Sequence, residues 1–463
     1  MSARNGRHIL ESRQQHPCPP KPGSAARKGT RESAGPAPSR VTATVRAGLG
    51  ADSPHRSVMP PIHLSSNYYF DAPGVQHGLY DYTRTANPTR DLVAGAIAEL
   101  EGGCGASVTS SGMSAIAVLT RLLSAADLLM APRDCYGGSH RLFSAEAGQG
   151  SYEIRFFNPW EERSFDLARA LGPRMIWLET PSNPLLRITD IAEWARLARE
   201  IGAICVADNT FLSPVNQRPL ELGADLVVHS TTKFLNGHSD VVGGAVIAAD
   251  EELLEEVAWW TNAMGVSGAP FDSYLTLRGM RTLHARSRVH EENALRVVEA
   301  LAGSDAVEEV HHPSLPGHPG HEVAKRQQLG WGSLISFELR GGRPAVDAFV
   351  DGIRHFALAE SLGGVESLVS HPWTMTHASM DAPARVEAGI GEGLLRLSVG
   401  IEGADDLVAD LERALERAGV AEHGSPAGSL PAGSLPGDRL QADPLPADTL
   451  EADRECAVAA EVA

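Results

Sequence analysis

Between residues 87 and 290, apolar segments of strand length alternate with segments of helical periodicity, and this alternation constrains the fold most strongly. The apolar segments are residues 106–109, 128–130, 152–157, 175–178, 204–206, 224–228 and 244–248. Such alternation predicts an α/β domain with a mainly parallel central sheet. Because ligands bind beyond the carboxyl ends of parallel strands, the residues that follow each strand are the candidate site.

The regions on either side of this domain differ in composition and pattern. Prolines interrupt residues 41–86 repeatedly, which predicts an extended N-terminal arm. After residue 290 the pattern predicts a smaller α+β domain. The predicted organisation is a disordered basic tail (1–40), the arm (41–86), the large domain (87–290), the small domain (291–419) and a disordered acidic low-complexity tail (420–463).

Composition argues against several function classes. The formal net charge of the 463-residue chain is −18, which argues against a nucleic-acid or anionic-membrane partner. No apolar run approaches the roughly 20 residues that span a bilayer. The cysteines are scattered without a Cys-x-x-Cys pair, which argues against disulfides or zinc and favours a reducing cytoplasm. The histidines between residues 311 and 321 lie among Pro and Gly without helical spacing, so we expect a loop there and no metal.

A lysine follows one of the apolar segments closely. Ser230 and Thr232 precede Lys233, just after the segment 224–228. A lysine held among apolar strands loses solvation, which lowers its pKa and favours the nucleophilic free amine. Such an amine suits a Schiff base with an aldehyde cofactor, and the two hydroxyls suit that cofactor's phosphate. Taken alone, the segment is equally compatible with an ordinary surface lysine.

Two other strand ends fit the same chemistry. Asp208 follows an apolar strand, and a buried carboxylate needs a partner. A protonated pyridine nitrogen about 4 Å away would attract it by roughly 4 kcal/mol at an effective dielectric near 20. Ser111-Gly112-Met113 begins a helix, where backbone N–H groups form a phosphate cradle. Alone, Asp208 is also compatible with a turn or helix cap, and many strand-to-helix turns contain glycine.

Taken together, these segments resemble one enzyme family. The matching motifs are Asp208-Asn-Thr-Phe, Ser230-x-Thr-Lys233 with Asn-Gly-His-Ser-Asp, Tyr82-x-Arg84-x-x-Asn-Pro-Thr-Arg, Ser-Gly-Met-Ser-Ala-Ile, Glu179-x-Pro-Ser-Asn183-Pro, Ser-Leu-Gly-Gly at 361–364 and Leu-Leu-Arg396-Leu-Ser. Over roughly residues 41–418, the chain resembles the pyridoxal-phosphate enzymes of Cys/Met metabolism. The resemblance implies a fold-type I (aspartate-aminotransferase-like) transferase with pyridoxal 5'-phosphate as its cofactor.

The resemblance also implies a role for each matching residue toward the cofactor. Lys233 would form the Schiff base and later shuttle protons, while Asp208 would pair with the pyridinium. Asn183 would contact the phenolic oxygen of the ring, and Tyr136 would stack on the ring and assist proton transfer. The phosphate ligands would be Gly112, Met113, Ser230 and Thr232, with Tyr82 and Arg84 reaching the phosphate from a neighbouring subunit. The implied assembly is a homo-oligomer, a dimer-of-dimers tetramer, with active sites shared between subunits.

Four residues are implied to face the amino-acid substrate. Arg396 would bind its α-carboxylate through a bidentate pair, supported by Ser361. Glu360 matches the acidic residue of the γ-synthase and γ-lyase branches, where β-lyases carry tyrosine. Arg141 is expected to meet the distal carboxylate of a succinyl ester.

Two other positions bear on the reaction. Gly138 departs from the cysteine of methionine γ-lyases, and Thr85 stands where succinyl-ester γ-synthases carry a second arginine. The resemblance implies γ-replacement on an acyl-homoserine by L-cysteine to give L-cystathionine, with a succinyl or an acetyl ester as substrate. The alternatives are a cystathionine γ-lyase or a homoserine-ester sulfhydrylase. A non-catalytic regulator that binds the cofactor is disfavoured, because Lys233, Tyr136 and Arg396 are all present.

Overall fold

The computed structural model describes residues 38–49, 55–378, 380 and 382–423. Most of the two predicted disordered tails lies outside these ranges. The exceptions are residues 38–40, of which Arg40 begins a helix, and residues 420–423, which form the end of another. Within the described chain, no helix has the length and apolar character needed to cross a membrane.

The first part of the chain supplies the elements of the larger sheet and the helices around it. In order they are α1 (Arg40–Arg46), β1 (Phe70–Ala72), β2 (Val75–Gln76), α2 (Pro88–Glu101), β3 (Gly105–Thr109), α3 (Gly112–Thr120), β4 (Leu128–Pro132), α4 (Gly137–Gly148), β5 (Glu153–Phe157), α5 (Arg163–Leu171), β6 (Met175–Glu179), α6 (Ile191–Ile201), β7 (Ile204–Asp208), α7 (Ser213–Asn216), β8 (Leu226–Ser230), β9 (Gly244–Ala248), α8 (Glu251–Ala263) and α9 (Pro270–Met280).

The second part supplies a smaller sheet. Its elements are α10 (Leu283–Ala302), β10 (Val307–His311), α11 (His321–Gln327), β11 (Leu334–Leu339), α12 (Gly342–Val350), β12 (Phe356–Leu358), β13 (Ser367–Ser370), α13 (Ala382–Glu387), β14 (Leu394–Ser398) and α14 (Ala404–His423).

The larger sheet has seven strands in the order β3-β9-β8-β7-β6-β4-β5. Neighbouring strands from β8 to β5 pair in parallel, and only β9 runs against its neighbours β8 and β3. The predicted mainly parallel α/β sheet is therefore confirmed. Its parallel strands bring the chain segments after β6, β7 and β8 to one edge.

Alternate residues of the central strands pack against different helices. Trp177 and Val206 join a core with α3, α4 and α8, whereas Ile176 and Cys205 join a core with α5 and α6. A third core, which includes Ile97, packs α2 and α9 against the sheet. Burial on both faces explains why the strands read as continuous apolar runs in the sequence.

The smaller sheet has the order β10-β11-β14-β13-β12, with β12 and β13 parallel and the other pairs antiparallel. Helices α10, α12 and α14 contribute to one core with this sheet. The domain boundary predicted at residue 290 falls inside α10, which begins at Leu283. The division into a large and a small domain stays a prediction.

The predicted arm is not extended throughout. Residues 40–46 form the helix α1, capped by Ser39, whose side chain accepts from the N–H of Thr42. Ala43 and Ala47 pack on the core that includes α2, so a few small side chains stabilise a helix with little periodicity of its own. From residue 55 onward the arm contains only the short β1–β2 hairpin and many exposed side chains.

One exposed helix cap provides a test of the local structure. The side chain of Asp250 accepts from the N–H of Leu253 at 2.9 Å and begins α8. We expect Asp250→Ala to lower the free energy of unfolding by about 1 kcal/mol, measured by urea denaturation, because an N-terminal donor of the helix loses its acceptor. Asp250→Asn retains a capping oxygen and should stay within about 0.5 kcal/mol of the parent. Equal losses in both variants would contradict the capping role.

Candidate active site

A cavity of about 530 Å³ lies at the carboxyl ends of β6, β7 and β8. The predicted site residues that line it are Gly112, Met113, Tyr136, Arg141, Asn183, Asp208, Ser230, Thr232, Lys233, Glu360, Ser361 and Arg396. These residues come from both sheets of the chain. The only predicted site residues outside the lining are Tyr82 and Arg84.

Lys233 projects into this cavity from the turn after β8. Its Nζ donates to the Ser361 hydroxyl at 2.8 Å. Burial, helped by the nearby Arg396 and partly opposed by Glu360, lowers the pKa of Lys233 to about 8. The amine is therefore far more often neutral at physiological pH than an ordinary lysine, as a nucleophile must be.

Arg396, on β14, is buried and sits beside the lysine. Its Nη2 donates to the carbonyl oxygen of Ser361 at 3.0 Å, and its Nη1 donates to Oδ1 of Asn183 at 2.8 Å. The Nε of Arg396 is buried without a hydrogen-bond partner in the described chain. Burial lowers the pKa of Arg396 to about 10, so the guanidinium stays charged near neutral pH. The site therefore holds a buried cation with a donor still to be satisfied, which suits a carboxylate ligand.

Asp208 ends β7 beneath the cavity. Its Oδ1 accepts from the N–H of Thr210 at 3.0 Å, and the Thr210 hydroxyl accepts from the N–H of Ser230 at 3.0 Å. Burial raises the pKa of Asp208, while the bonds from Thr210 and the nearby His229 oppose the shift. A carboxylate in this position favours a positively charged partner, such as a pyridinium.

The start of α3 approaches Ser230 closely. A Cβ placed on Gly112 would lie 2.8 Å from the Cβ of Ser230, so only glycine fits there without displacement. The backbone N–H groups of Gly112 and Met113 stand at the N-terminus of α3. Nearby, the hydroxyl of Thr232 accepts from the N–H of Gly243 at 3.0 Å. Backbone donors at a helix start beside two hydroxyls form a suitable phosphate cradle.

Tyr136 precedes α4 at the wall of the cavity, and its ring is partly exposed. Its backbone N–H donates to Oε2 of Glu179 at 2.8 Å. Burial raises the pKa of Glu179, and the neighbouring Asp208 raises it further. A Cβ placed on Gly138 would lie 2.5 Å from Cε1 of Tyr136, so a cysteine there would displace the ring. Gly138 therefore permits this position of Tyr136.

Glu360 and Arg141 lie at the exposed rim of the cavity. Glu360 precedes Ser361 and stabilises the charged forms of Lys233 and Arg396, raising the pKa of each. Arg141 lies on α4, one turn after Tyr136. The rim thus offers one carboxylate and one guanidinium to the outer part of a ligand.

Tyr82 and Arg84 lie away from the cavity of their own chain. Arg84 donates to the backbone oxygen of Asn262 at 3.0 Å and to its Oδ1 at 2.9 Å. Tyr82 is 48% exposed, with the Arg84 guanidinium 5.7 Å from its ring centroid. The predicted contribution of these two residues to a neighbouring subunit's site stays a prediction.

Several residues of the site had no predicted role. Glu179 and Thr210 lie within recognised motifs, so the sequence contained a signal for them. Met375 and Thr376 also line the cavity, but they belong to a segment with no strand or helix pattern and no motif. This segment follows β13 of the smaller sheet in the chain. The described residues contain no group of three or more His, Cys, Asp or Glu side chains that could hold a metal ion.

The donor set fits pyridoxal phosphate. Asp208 lines the cavity for the ring nitrogen, Lys233 reaches into it for the aldehyde, and the backbone donors at the start of α3 suit the phosphate. Since the Oδ1 of Asn183 accepts from Arg396, its Nδ2 is left as a donor toward the phenolic oxygen.

Comparison with known proteins also indicates a pyridoxal-phosphate enzyme. The family model for Cys/Met metabolism PLP-dependent enzymes matches residues 41–416. The chain belongs to this family. It is 53% identical over 380 residues to the cystathionine gamma-synthase of Escherichia coli (strain K12), covering 82% of this chain and 98% of that one. It is 42% identical over 378 residues to the cystathionine gamma-lyase of Dictyostelium discoideum, covering 81% of this chain and 97% of that one.

A solved structure of a similar enzyme has a similar fold. The cystathionine gamma synthase of Xanthomonas oryzae pv. oryzae in complex with cystathionine superposes with a TM-score of 0.82 at 55% identity. The match covers 83% of this chain and all of that one. The predicted fold-type I architecture, pyridoxal-phosphate cofactor and enzymatic activity are confirmed by this membership.

The lowered pKa of Lys233 leads to a prediction about its reactivity. At a pKa of about 8, about one-tenth of the amine is neutral at pH 7, against fewer than about one in a thousand for an ordinary lysine. We expect borohydride trapping of pyridoxal phosphate on Lys233 of the apoprotein to increase with pH, with a midpoint near 8. Peptide mapping by mass spectrometry measures the trapped fraction.

The sequence makes this measurement selective, because the other lysines are Lys21, Lys28 and Lys325. Lys325 lies on the surface of α11 beside Glu322 and serves as the internal control. Identical pH courses for Lys233 and Lys325 would contradict an effect of the cavity on the amine.

Proposed function

We propose that this enzyme is a cystathionine γ-synthase, which replaces the acyl group of an O-acylhomoserine with L-cysteine. The observation that carries the proposal is the pairing of Lys233 and Arg396 on either side of Ser361, with Glu360 at the adjoining rim. The identity to the Escherichia coli and Xanthomonas enzymes supports it. When bound, pyridoxal phosphate withdraws electrons from the substrate's α-carbon and so makes its protons acidic.

Arg396 and Asn183 orient the amino-acid part of the substrate. The free Nε of Arg396 and the adjacent Nη2 form a two-pronged donor for the α-carboxylate, in addition to the bonds that already hold the guanidinium. This places the substrate Cα beside Lys233, because Ser361 contacts both side chains. Orientation of this kind converts an encounter into a reactive geometry.

Lys233 then moves protons. Its Nζ takes the proton from the substrate Cα, and its lowered pKa matches a base that works near neutral pH. The hydroxyl of Tyr136 assists this transfer at the wall of the cavity. Loss of a Cβ proton lets the acyloxy group leave Cγ as a carboxylate. The cysteine sulfur then bonds to Cγ as the thiol loses its proton, which balances the charge of the released carboxylate, and protons return to Cα and Cβ.

The rim residues select the second substrate and the acyl group. Glu360 is placed to accept from the amino group of the incoming cysteine, since opposite charges attract there. Arg141 is placed to meet the distal carboxylate of a succinyl ester. With Thr85 in the place of a second arginine, both the succinyl and the acetyl ester are candidate substrates.

We further propose that the enzyme is a cytoplasmic homotetramer, in which Tyr82 and Arg84 bind the phosphate of a neighbouring subunit's cofactor. The exposure of these residues outside their own cavity supports this arrangement.

Substrate turnover tests the proposed reaction. We expect the purified enzyme to form cystathionine from O-succinylhomoserine or O-acetylhomoserine with L-cysteine, as measured by liquid chromatography and mass spectrometry. Cleavage of cystathionine to cysteine and 2-oxobutanoate, with no synthesis, would instead assign a γ-lyase. Homocysteine formed from sulfide in place of cysteine, again without cystathionine, would assign a sulfhydrylase.

Arg396→Lys tests the carboxylate contact. Lysine keeps the positive charge but cannot present two parallel donors. We expect the KM for the acyl-homoserine to rise about 10–100-fold, as the loss of a charge-assisted bond costs roughly 1.5–3 kcal/mol. The visible absorbance of the bound cofactor should persist. Arg343→Lys, at an exposed ion pair on α12, is the matched control. An unchanged KM in Arg396→Lys would refute the assignment.

A further inference from the structure

A buried carboxylate lies behind the cofactor cavity and takes no part in the reaction derived above. Glu101 is the last residue of α2 and is fully buried. Its Oε1 lies 2.8 Å from Nδ2 of Asn209 and 2.6 Å from Nε2 of His229. Because a carboxylate only accepts, both nitrogens donate to this single oxygen.

The two donors flank residues of the cofactor site in the sequence. Asn209 directly follows Asp208 at the end of β7, and His229 directly precedes Ser230 at the end of β8. The bonds to Glu101 therefore connect the strand that carries the pyridinium partner with the strand that leads to Lys233. Asp208 and Ser230 are also joined on the cavity side, through Thr210.

The same network reaches a third strand end. Oδ1 of Asn209 accepts from Nε2 of Gln217 at 3.1 Å, and that Nε2 also donates to the carbonyl oxygen of Thr180 at 2.9 Å. Thr180 follows β6 and leads to Asn183. Asn209, Gln217 and Thr180 are all buried, so these bonds are shielded from competing water.

Helix α2 also holds the arm at its other end. Arg90, in its first turn, donates through Nη2 to the carbonyl oxygens of Thr83 and Arg84. One helix thus contacts the segment proposed to serve a neighbouring site and the strand ends of its own site.

We propose that Glu101 is a positioning residue for the cofactor, fixing the ends of β6, β7 and β8 in register so that Asn183, Asp208 and Lys233 meet the ring together. This positioning role rests on one part of the proposed function, the binding of pyridoxal phosphate in this cavity. It does not depend on which acyl-homoserine or thiol reacts.

The geometry favours positioning over a purely structural role. A carboxylate needed only for stability could form its bonds anywhere along α2, yet both donors to Glu101 are immediate neighbours of cofactor residues. A shift of one strand end relative to another would misplace side chains that must contact one rigid ring at the same time.

The test compares Glu101→Leu, which removes the accepting oxygen, with Glu101→Gln, which retains one. The dissociation constant of pyridoxal 5'-phosphate is measured by titrating each apoprotein. The visible circular dichroism of the cofactor, at saturating concentration, reports its orientation. Asp410→Asn is a matched control, because Asp410 is a buried carboxylate on α14 that accepts from the N–H groups of Arg354 and His355, outside the cavity lining.

We expect Glu101→Leu to weaken cofactor binding at least about tenfold, by analogy with residues that orient metal ligands from behind a metal site. Its circular dichroism band should also change, while Glu101→Gln and Asp410→Asn stay near the parent in both measurements. Unchanged affinity and circular dichroism in Glu101→Leu would overturn the proposal. Equal effects of Leu and Gln would also overturn it, because the accepting oxygen would then not matter.

Two further measurements separate general damage to the fold from a loss of cofactor positioning. The melting temperature of each apoprotein measures general damage to the fold. If Glu101→Leu does not fold, His229→Leu removes one donor while leaving Glu101 and Asn209 in place, and the same loss of affinity and change of band is expected. No change in His229→Leu would overturn the proposal. If the parent protein bound pyridoxal phosphate but made no cystathionine, the proposed reaction would fail while this inference stood.

Discussion

The active site depends on two cations held against one residue. Ser361 accepts from Lys233 through its hydroxyl and from Arg396 through its carbonyl oxygen, at 2.8 and 3.0 Å. Two like charges held close together repel, which disfavours the charged form of the group that loses its proton more easily. Burial and this repulsion lower the pKa of Lys233 to about 8, whereas that of Arg396 falls only to about 10. Near neutral pH the guanidinium therefore stays charged while the amine can lose its proton, which separates the binding cation from the base.

The fold maintains this arrangement through close backbone contacts. Ser361 has a φ of 86°, a conformation that costs a non-glycine residue of order 1–3 kcal/mol and persists only where its surroundings enforce it. Two residues on, a Cβ on Gly363 would lie 2.8 Å from the backbone nitrogen of Phe234, so the loop packs directly on the lysine turn. From the other side, Arg286 of α10 donates to the carbonyl oxygen of Phe234 at 2.9 Å. The lysine turn is therefore held between the loop of Ser361 and Gly363 on one side and α10 on the other.

How much of the fold and the site the sequence predicts depends on how far apart in the sequence the contacting residues lie. The strands and the residues that end them are local patterns, so Asp208 and the turn of Lys233 could be placed at one edge of a parallel sheet from the sequence. The hydrogen bonds to Ser361 and to Glu101 join residues 128 positions apart in each case (Lys233 with Ser361, Glu101 with His229), and no periodicity encodes such a pairing. The sequence pattern does not predict helix α1, because this helix is stabilised by packing on another helix and has no pattern of its own.

The proposed shared site would link the choice of acyl group to subunit assembly. Tyr69, at 93% exposed, and other large apolar side chains of the arm are accessible in the single chain, and their burial would contribute about 25 cal/mol per Å² to an association. Thr85 lies on this arm, outside the cavity of its own chain, whereas Arg141 lines that cavity. If the arm completes a neighbouring site, Thr85 faces a substrate held by another subunit's Arg141. In the proposed assembly, the second cation for a succinyl group would be missing from the subunit interface, and the docking of the arm would then set acyl preference as much as the cavity itself.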